Sequence, residues 1–247
     1  MESKLTVEML SQPDDYTCGP TCLHAVYRYH GDQMPLEKVI AEVPRVDGGG
    51  TLAVLLACHA LRRGYDATIY TYNLQMFDPT WFEPGVPDIR EPLRLQSQFK
   101  RSPKLEVATQ GYLEFLDLGG LLRFEDLTSA LIRKYLSRSI PVLTGLSATY
   151  LHRTAREYEP TNEADDVRGD PEGHFVVLCG YDKETRGVLV ADPLETNPVS
   201  SNNGYEASID RVICAILLGI LTYDANLLII EPRKLRKQGS HAGAHRR

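Results

Sequence analysis

The chain has 247 residues, 43% of them aliphatic or aromatic and 24% charged. That is enough apolar material for a real core and too little charge for wholesale disorder, while ordinary glycine and proline contents exclude collagen-like and low-complexity chains. The net charge of −6 is unevenly spread: residues 233–247 hold six basic residues and no acid, which leaves −12 over residues 1–232.

So acidic a body repels nucleic-acid phosphates, whose neutralisation needs clustered Lys and Arg, so no nucleic-acid partner is expected. The short basic tail, 233–247, reads as a solvated, disordered terminus. The longest apolar run, Val212 to Leu221, has ten residues. A membrane-spanning helix needs roughly 20, and no membrane partner is expected either. The start, MESKLTVEML, lacks the apolar stretch and cleavage site of a secretory signal. The five cysteines, Cys18, Cys22, Cys58, Cys179 and Cys214, are odd in number and irregularly spaced. They point to reduced thiols in a cytoplasmic setting rather than a disulfide frame.

In chain order, Pro20 suits a first helical turn, Leu23, Val26 and Tyr27 recur at helical spacing, and Gly31 makes a stop. These predict a helix from Cys18 or Gly19. Two more helices follow at 35–42 and, after Gly48–Gly50, at 51–63, closed by Gly64; 65–72 then reads as a strand. Four prolines (Pro79, Pro84, Pro87, Pro92) punctuate 73–123 around the single tryptophan, Trp81, and predict loops with one or two short helices. Next come a helix at 124–137, a strand at 140–146 and a polar loop at 152–172. Residues 174–180 and 187–192 read as two strands joined by a turn at 182–186. A helix at 208–219 and a strand at 227–230 complete the pattern. Helices first and strands mainly later give an α+β fold with a largely antiparallel sheet. We read 1–232 as a single domain with an insertion near 73–123.

Cys18 at a helix start is the sharpest chemical feature. Thiolate is the reactive form of cysteine, and the free N–H groups of a helix N-terminus favour it. Gly19 would let a substrate approach the backbone. A nucleophilic thiol needs a base held in its working tautomer by a third group. His174 opens one strand and Asp192 closes the next, at similar distances from the intervening turn, so the hairpin is expected to bring them together. Gln12, six residues before Cys18, is the candidate side-chain donor to an oxyanion, beside the Cys18 backbone N–H.

Gln12-x5-Cys18-Gly19, a following helix, and a distal His174 with Asp192-Pro193 resemble the peptidase C39-like group of papain-like cysteine peptidases. The resemblance implies a papain-like fold, Cys18 as nucleophile, His174 as general base, Asp192 as its orienting partner, Gln12 as oxyanion donor, and a peptide or protein substrate. It spans residues 10–72 and 124–193; the 73–123 stretch and the residues after 193 lie outside it. No cofactor or metal is implied. Cys18-x3-Cys22, with His24 or Cys58-His59, gives only half of a structural zinc pattern.

Three functions remain in view: hydrolysis of a peptide or amide bond, acyl transfer by the same triad, and non-catalytic peptide binding through Phe77, Trp81 and Phe82. Cys22, Cys58, Cys179 and Cys214 read as small core residues. His24, His30, His59 and His152 read as surface or internally satisfied histidines.

Overall fold

The computed structural model describes residues 3–46, 49–85, 88–195, 197–200 and 202–233. Of the basic tail, only Arg233 is among them; it pairs with Asp66 at 3.1 Å. Gly48 also lies outside the described residues.

The elements run β1 (Ser3–Lys4), α1 (Cys18–Tyr29), α2 (Leu36–Glu42), α3 (Ala53–Arg62), β2 (Tyr65–Thr71), α4 (Arg90–Phe99), α5 (Pro103–Asp117), β3 (Leu121–Arg123) and α6 (Ser129–Leu136). They continue with β4 (Val142–Ser147), α7 (Ala148–His152), β5 (Glu157–Tyr158), β6 (Glu163–Ala164), β7 (Gly173–Asp182), β8 (Gly187–Ala191), β9 (Gly204–Ser208), α8 (Ile209–Leu218) and β10 (Asn226–Pro232). The main sheet has the order β3-β2-β10-β4-β7-β8-β9, with β1 on the far end of β7. Every pairing in it is antiparallel except β2 with β3. Helices packed on a mainly antiparallel sheet is the architecture expected from the sequence.

Local chemistry explains the helices. In α1, Pro20 sits in the first turn, where a missing N–H costs no hydrogen bond. Every residue from Cys18 to Tyr27 is buried, with Cys22, Leu23, Val26 and Tyr27 among its core side chains. Gly31 ends the helix at φ +85 and Gly64 ends α3 at φ +90, a region that side chains with a Cβ avoid. α1 lies across β7, and α3 packs on β2 and α5.

The 73–123 stretch departs from expectation. In place of loops with short helices it holds α5, which at 15 residues is the longest helix described. Pro103 opens that helix, and Leu105, Ala108, Tyr112 and Phe115 bury one face of it. The prolines fall outside α5 and so do not oppose it. Phe77 is buried and meets Tyr112 edge-on at 4.7 Å, with Trp81 and Phe82 packed around it. The rings proposed as peptide anchors thus serve the protein's own core.

The β7–β8 hairpin carries a bulge. Near the turn Tyr181 opposes Val188, but lower down Val177 opposes Ala191, and the register shifts between Leu178 and Gly180. Cys179 is the extra residue. Directly opposed residues of an antiparallel pair share a face. Continued past Ala191, the shifted register sets Asp192 opposite Val176, on the face of His174. Without the bulge Asp192 would oppose Val177 and face the other way.

Candidate active site

Cys18 is the first residue of α1, and its side chain is buried. The preceding residue, Thr17, does not cap the helix. Its hydroxyl donates to the Asp14 carbonyl instead, at 3.1 Å, so the first-turn amides have no side-chain acceptor. No acid lies in that turn. The helix end is therefore electropositive and available to a thiolate or an oxyanion.

Gly19 has a different role from the one expected. A Cβ there would stand 2.6 Å from Thr51 Cγ2 and 3.2 Å from the Phe175 ring. Close approach is needed by the protein's own side chains, because α1 must settle onto β7 and the start of α3. Cys22, one turn on, points into the core and donates its S–H to the Phe175 carbonyl at 3.2 Å. Burial pushes its thiol well up, with the Cys18 and Asp192 charges adding to the effect. Cys58 and Cys179 are buried as expected, but Cys214 is exposed. On α8 the buried set is Ile209, Val212, Ala215 and Ile216, which leaves position 214 on the solvent side. Among the described residues, no group of three or more His, Cys, Asp and Glu is arranged to hold a metal ion.

His174, near the start of β7, is buried, and its Nε2–H donates to Asp192 Oδ1 at 2.8 Å. With Nε2 so engaged, Nδ1 is the ring nitrogen left to face Cys18, which lies close enough to influence the imidazole. Cys18 from the helix and the His174–Asp192 pair from the sheet are thus brought together. Burial by itself would depress the histidine, but the hydrogen bonds to Asp192 and Cys18, with their charges, raise it well above the ordinary value. For Asp192, burial would raise the carboxyl. The hydrogen bonds from His152 and His174, the charge of His174 and the Leu194 N–H overcome this and hold it well below the usual carboxylate range. Both directions describe one imidazolium–carboxylate pair.

Gln12 sits in the loop leading to α1, and its backbone N–H donates to the Pro193 carbonyl at 2.8 Å, tying that loop to the end of β8. Its side-chain amide donates to the Asp14 carbonyl at 2.9 Å, and its Oε1 is buried without a partner. A primary amide has two N–H groups, so one is left after the Asp14 bond.

Two residues that sequence reasoning did not assign to the site touch Asp192. Tyr205 of β9 donates its hydroxyl to Asp192 Oδ2 at 2.9 Å. His152, the last residue of α7, sets its Nε2 3.2 Å from the same oxygen and 3.1 Å from the Tyr205 hydroxyl. They lie 40 and 13 residues from Asp192. No motif joins them; only the reading of His152 as internally satisfied pointed this way.

A second buried carboxyl, Asp224, flanks the strand that carries His174. It covers Gly173 and Gly145, where a Cβ would stand 2.6 Å from its Oδ2 and its Cβ respectively. Its Oδ2 receives the Thr222 hydroxyl at 2.7 Å. Burial pushes it up to about 7, against the lowering effects of Thr222, Lys104 and His174.

A helix-borne cysteine facing a sheet-borne His–Asp pair is the papain-like arrangement. Residues 97–211 match the model of the Peptidase_C39 like family. That span contains His152, His174, Asp192 and Tyr205 and begins after Gln12 and Cys18. Among solved structures, the chain is similar to a putative C39-like peptidase from Bacillus anthracis (15% identity, 94% of this chain and 98% of that one, TM-score 0.49). It is also similar to a double-glycine-motif protease from an AMS/PCAT transporter in complex with its leader peptide (14%, 94% and 95%, 0.44). Xylellain, a cysteine protease from Xylella fastidiosa, is a third (16%, 94% and 86%, 0.42). No curated protein matches the chain in sequence.

Proposed function

We propose that the protein is a cysteine hydrolase acting on a peptide or amide bond, with residues 1–232 as one catalytic unit. The observation that carries this is His174, buried between the Asp192 carboxylate and the Cys18 thiol. Raising the histidine favours its imidazolium form, the partner a Cys18 thiolate needs. The thiolate attacks the substrate carbonyl carbon. The resulting oxyanion is held by the Cys18 backbone N–H and the spare N–H of Gln12. His174 gives its Nδ1 proton to the leaving amine as the C–N bond breaks, leaving a Cys18 thioester. Neutral His174 then takes a proton from water, whose oxygen displaces the thiolate and releases the acid. Asp192 stays ionised throughout. Five free thiols fit work in a reducing compartment such as the cytoplasm.

The test is site-resolved alkylation by iodoacetamide across pH 5 to 9, read by mass spectrometry so that exposed Cys214 is scored separately. Cys18 labelling is expected to persist near pH 6, well below the ordinary thiol range of about 8.5, and to collapse there in His174→Ala. Cys18 labelling that rises only above pH 8 and ignores the loss of His174 would sink the proposal.

A further inference from the structure

We infer that His152, together with Tyr205, is a positioning residue that fixes the Asp192 carboxylate so that its Oδ1 meets His174. This rests on the triad reading above and adds a role for a second histidine.

The donor count on Asp192 carries the inference. Oδ1 receives His174 Nε2–H at 2.8 Å and the Leu194 backbone N–H at 2.9 Å. Oδ2 receives the Tyr205 hydroxyl at 2.9 Å and faces His152 Nε2 at 3.2 Å. An ionised carboxylate only accepts, and a bare ring nitrogen at that distance would set a lone pair against an anion. His152 therefore carries its hydrogen on Nε2 and donates. Tyr205 has a single hydrogen, which goes to Oδ2, so its oxygen lies beside His152 Nε2–H at 3.1 Å as a second acceptor. Both oxygens are then saturated by two donors each. Held at Oδ1 alone, the carboxylate can turn about its Cβ–Cγ bond and carry His174 with it. Held at Oδ2 by groups from two further elements, it cannot.

The surroundings of His152 suit that task. Its side chain is 3% exposed. It ends α7, which follows β4 directly, and in β4 Leu146 is the register partner of His174. Arg153 then closes α7 in the left-handed region, at φ 58. The two histidines thus reach one carboxylate from adjacent strand ends, their rings 6.2 Å apart.

The experiment compares Cys18 alkylation at pH 6.5 in the full chain for wild type, His152→Gln, His152→Leu and Tyr205→Phe. Gln can place an N–H where Nε2–H stood, whereas Leu fills space and donates nothing. We expect a loss of about tenfold in His152→Leu, a rate within about threefold of wild type in His152→Gln, and a loss of about threefold in Tyr205→Phe. A folded His152→Leu that labels like wild type overturns the inference, and so does His152→Gln as slow as Leu. If His152→Leu does not fold, long-range 1H–15N correlation spectra of wild type decide. A His152 with hydrogen on Nε2 supports the role, and hydrogen on Nδ1 alone overturns it. The His174→Ala measurement tests the triad separately, so a failure of the triad and a failure of this role alone are told apart.

Discussion

Two aspartates sit near His174, both buried, and their carboxyls are driven in opposite directions. Asp192 is surrounded by donors: two ring N–H groups, a phenol and a backbone amide. Asp224 has the Thr222 hydroxyl on Oδ2 and otherwise faces the tight backbone of Gly145 and Gly173. Burial works against the ionised form of both. It loses at Asp192, which is held well below the carboxylate range, and wins at Asp224, which is pushed up to about 7. The number and charge of the donors, rather than burial, decide which aspartate is a fixed anion and which keeps its proton until near neutral pH.

The contrast is broken most severely by Asp192→Asn. An amide in that place presents an N–H or a weaker acceptor to donors arranged for an anion, and His174 loses its counter-charge. We expect Cys18-dependent turnover or alkylation to fall by about a thousandfold and stability by about 3 kcal/mol, measured by stopped-flow labelling and urea denaturation. Wild-type stability at Asp192 is fully present above its ordinary pKa and is lost progressively as pH falls from that value toward the lowered one, so it is constant from about pH 5 to 8.

Asp224→Asn tests the other half. The folded state keeps a proton on Asp224 between its unfolded value of 3.8 and its folded value of about 7, so its presence costs stability as pH rises across that window. Asparagine copies the neutral acid. Asp224→Asn is expected to match wild type near pH 4 and to exceed it by about 4 kcal/mol at pH 8. Equal stability of the two proteins at both pH values would mean that burial does not govern this carboxyl. The smallest effect belongs to Gly173→Ala, whose new methyl would meet Asp224 Oδ2 and Thr222 Oγ1, both at 2.6 Å. A loss of about 1–3 kcal/mol in thermal or chemical unfolding is expected, as for an overpacked core.

Local signals made much of this region readable in the sequence. Pro20, the apolar spacing after Cys18 and the Gly31 stop locate α1. The apolar strands around 183–186 locate the hairpin that brings His174 to Asp192. What was not legible depends on distant pairing. β10 enters the sheet between β2 and β4, and neither neighbour is adjacent to it in sequence. His152 and Tyr205 reach Asp192 from α7 and β9, elements whose placement is set by packing. The α5 helix is a different case, since Ser102-Pro103 followed by Leu105, Ala108, Tyr112 and Phe115 is a helical signal. Nearby prolines obscured it. Gly19 shows the limit of chemical intuition: its smallness is required by Thr51 and Phe175, and no single stretch of sequence reveals that contact.

The extra residue at Cys179 makes the meeting of His174 and Asp192 a matter of counting as well as chemistry. Between the two lie the arms and turn of one hairpin, and only an odd residue in one arm lets both side chains emerge on the same side. Any apolar residue of similar size that tolerates the bend can stand at 179 without disturbing that parity. Removing one residue from this arm, or adding one, would send the carboxylate to the back of the sheet even with every site residue retained. Length is therefore constrained more tightly here than identity, and insertions and deletions in this hairpin should be far less forgiving than substitutions.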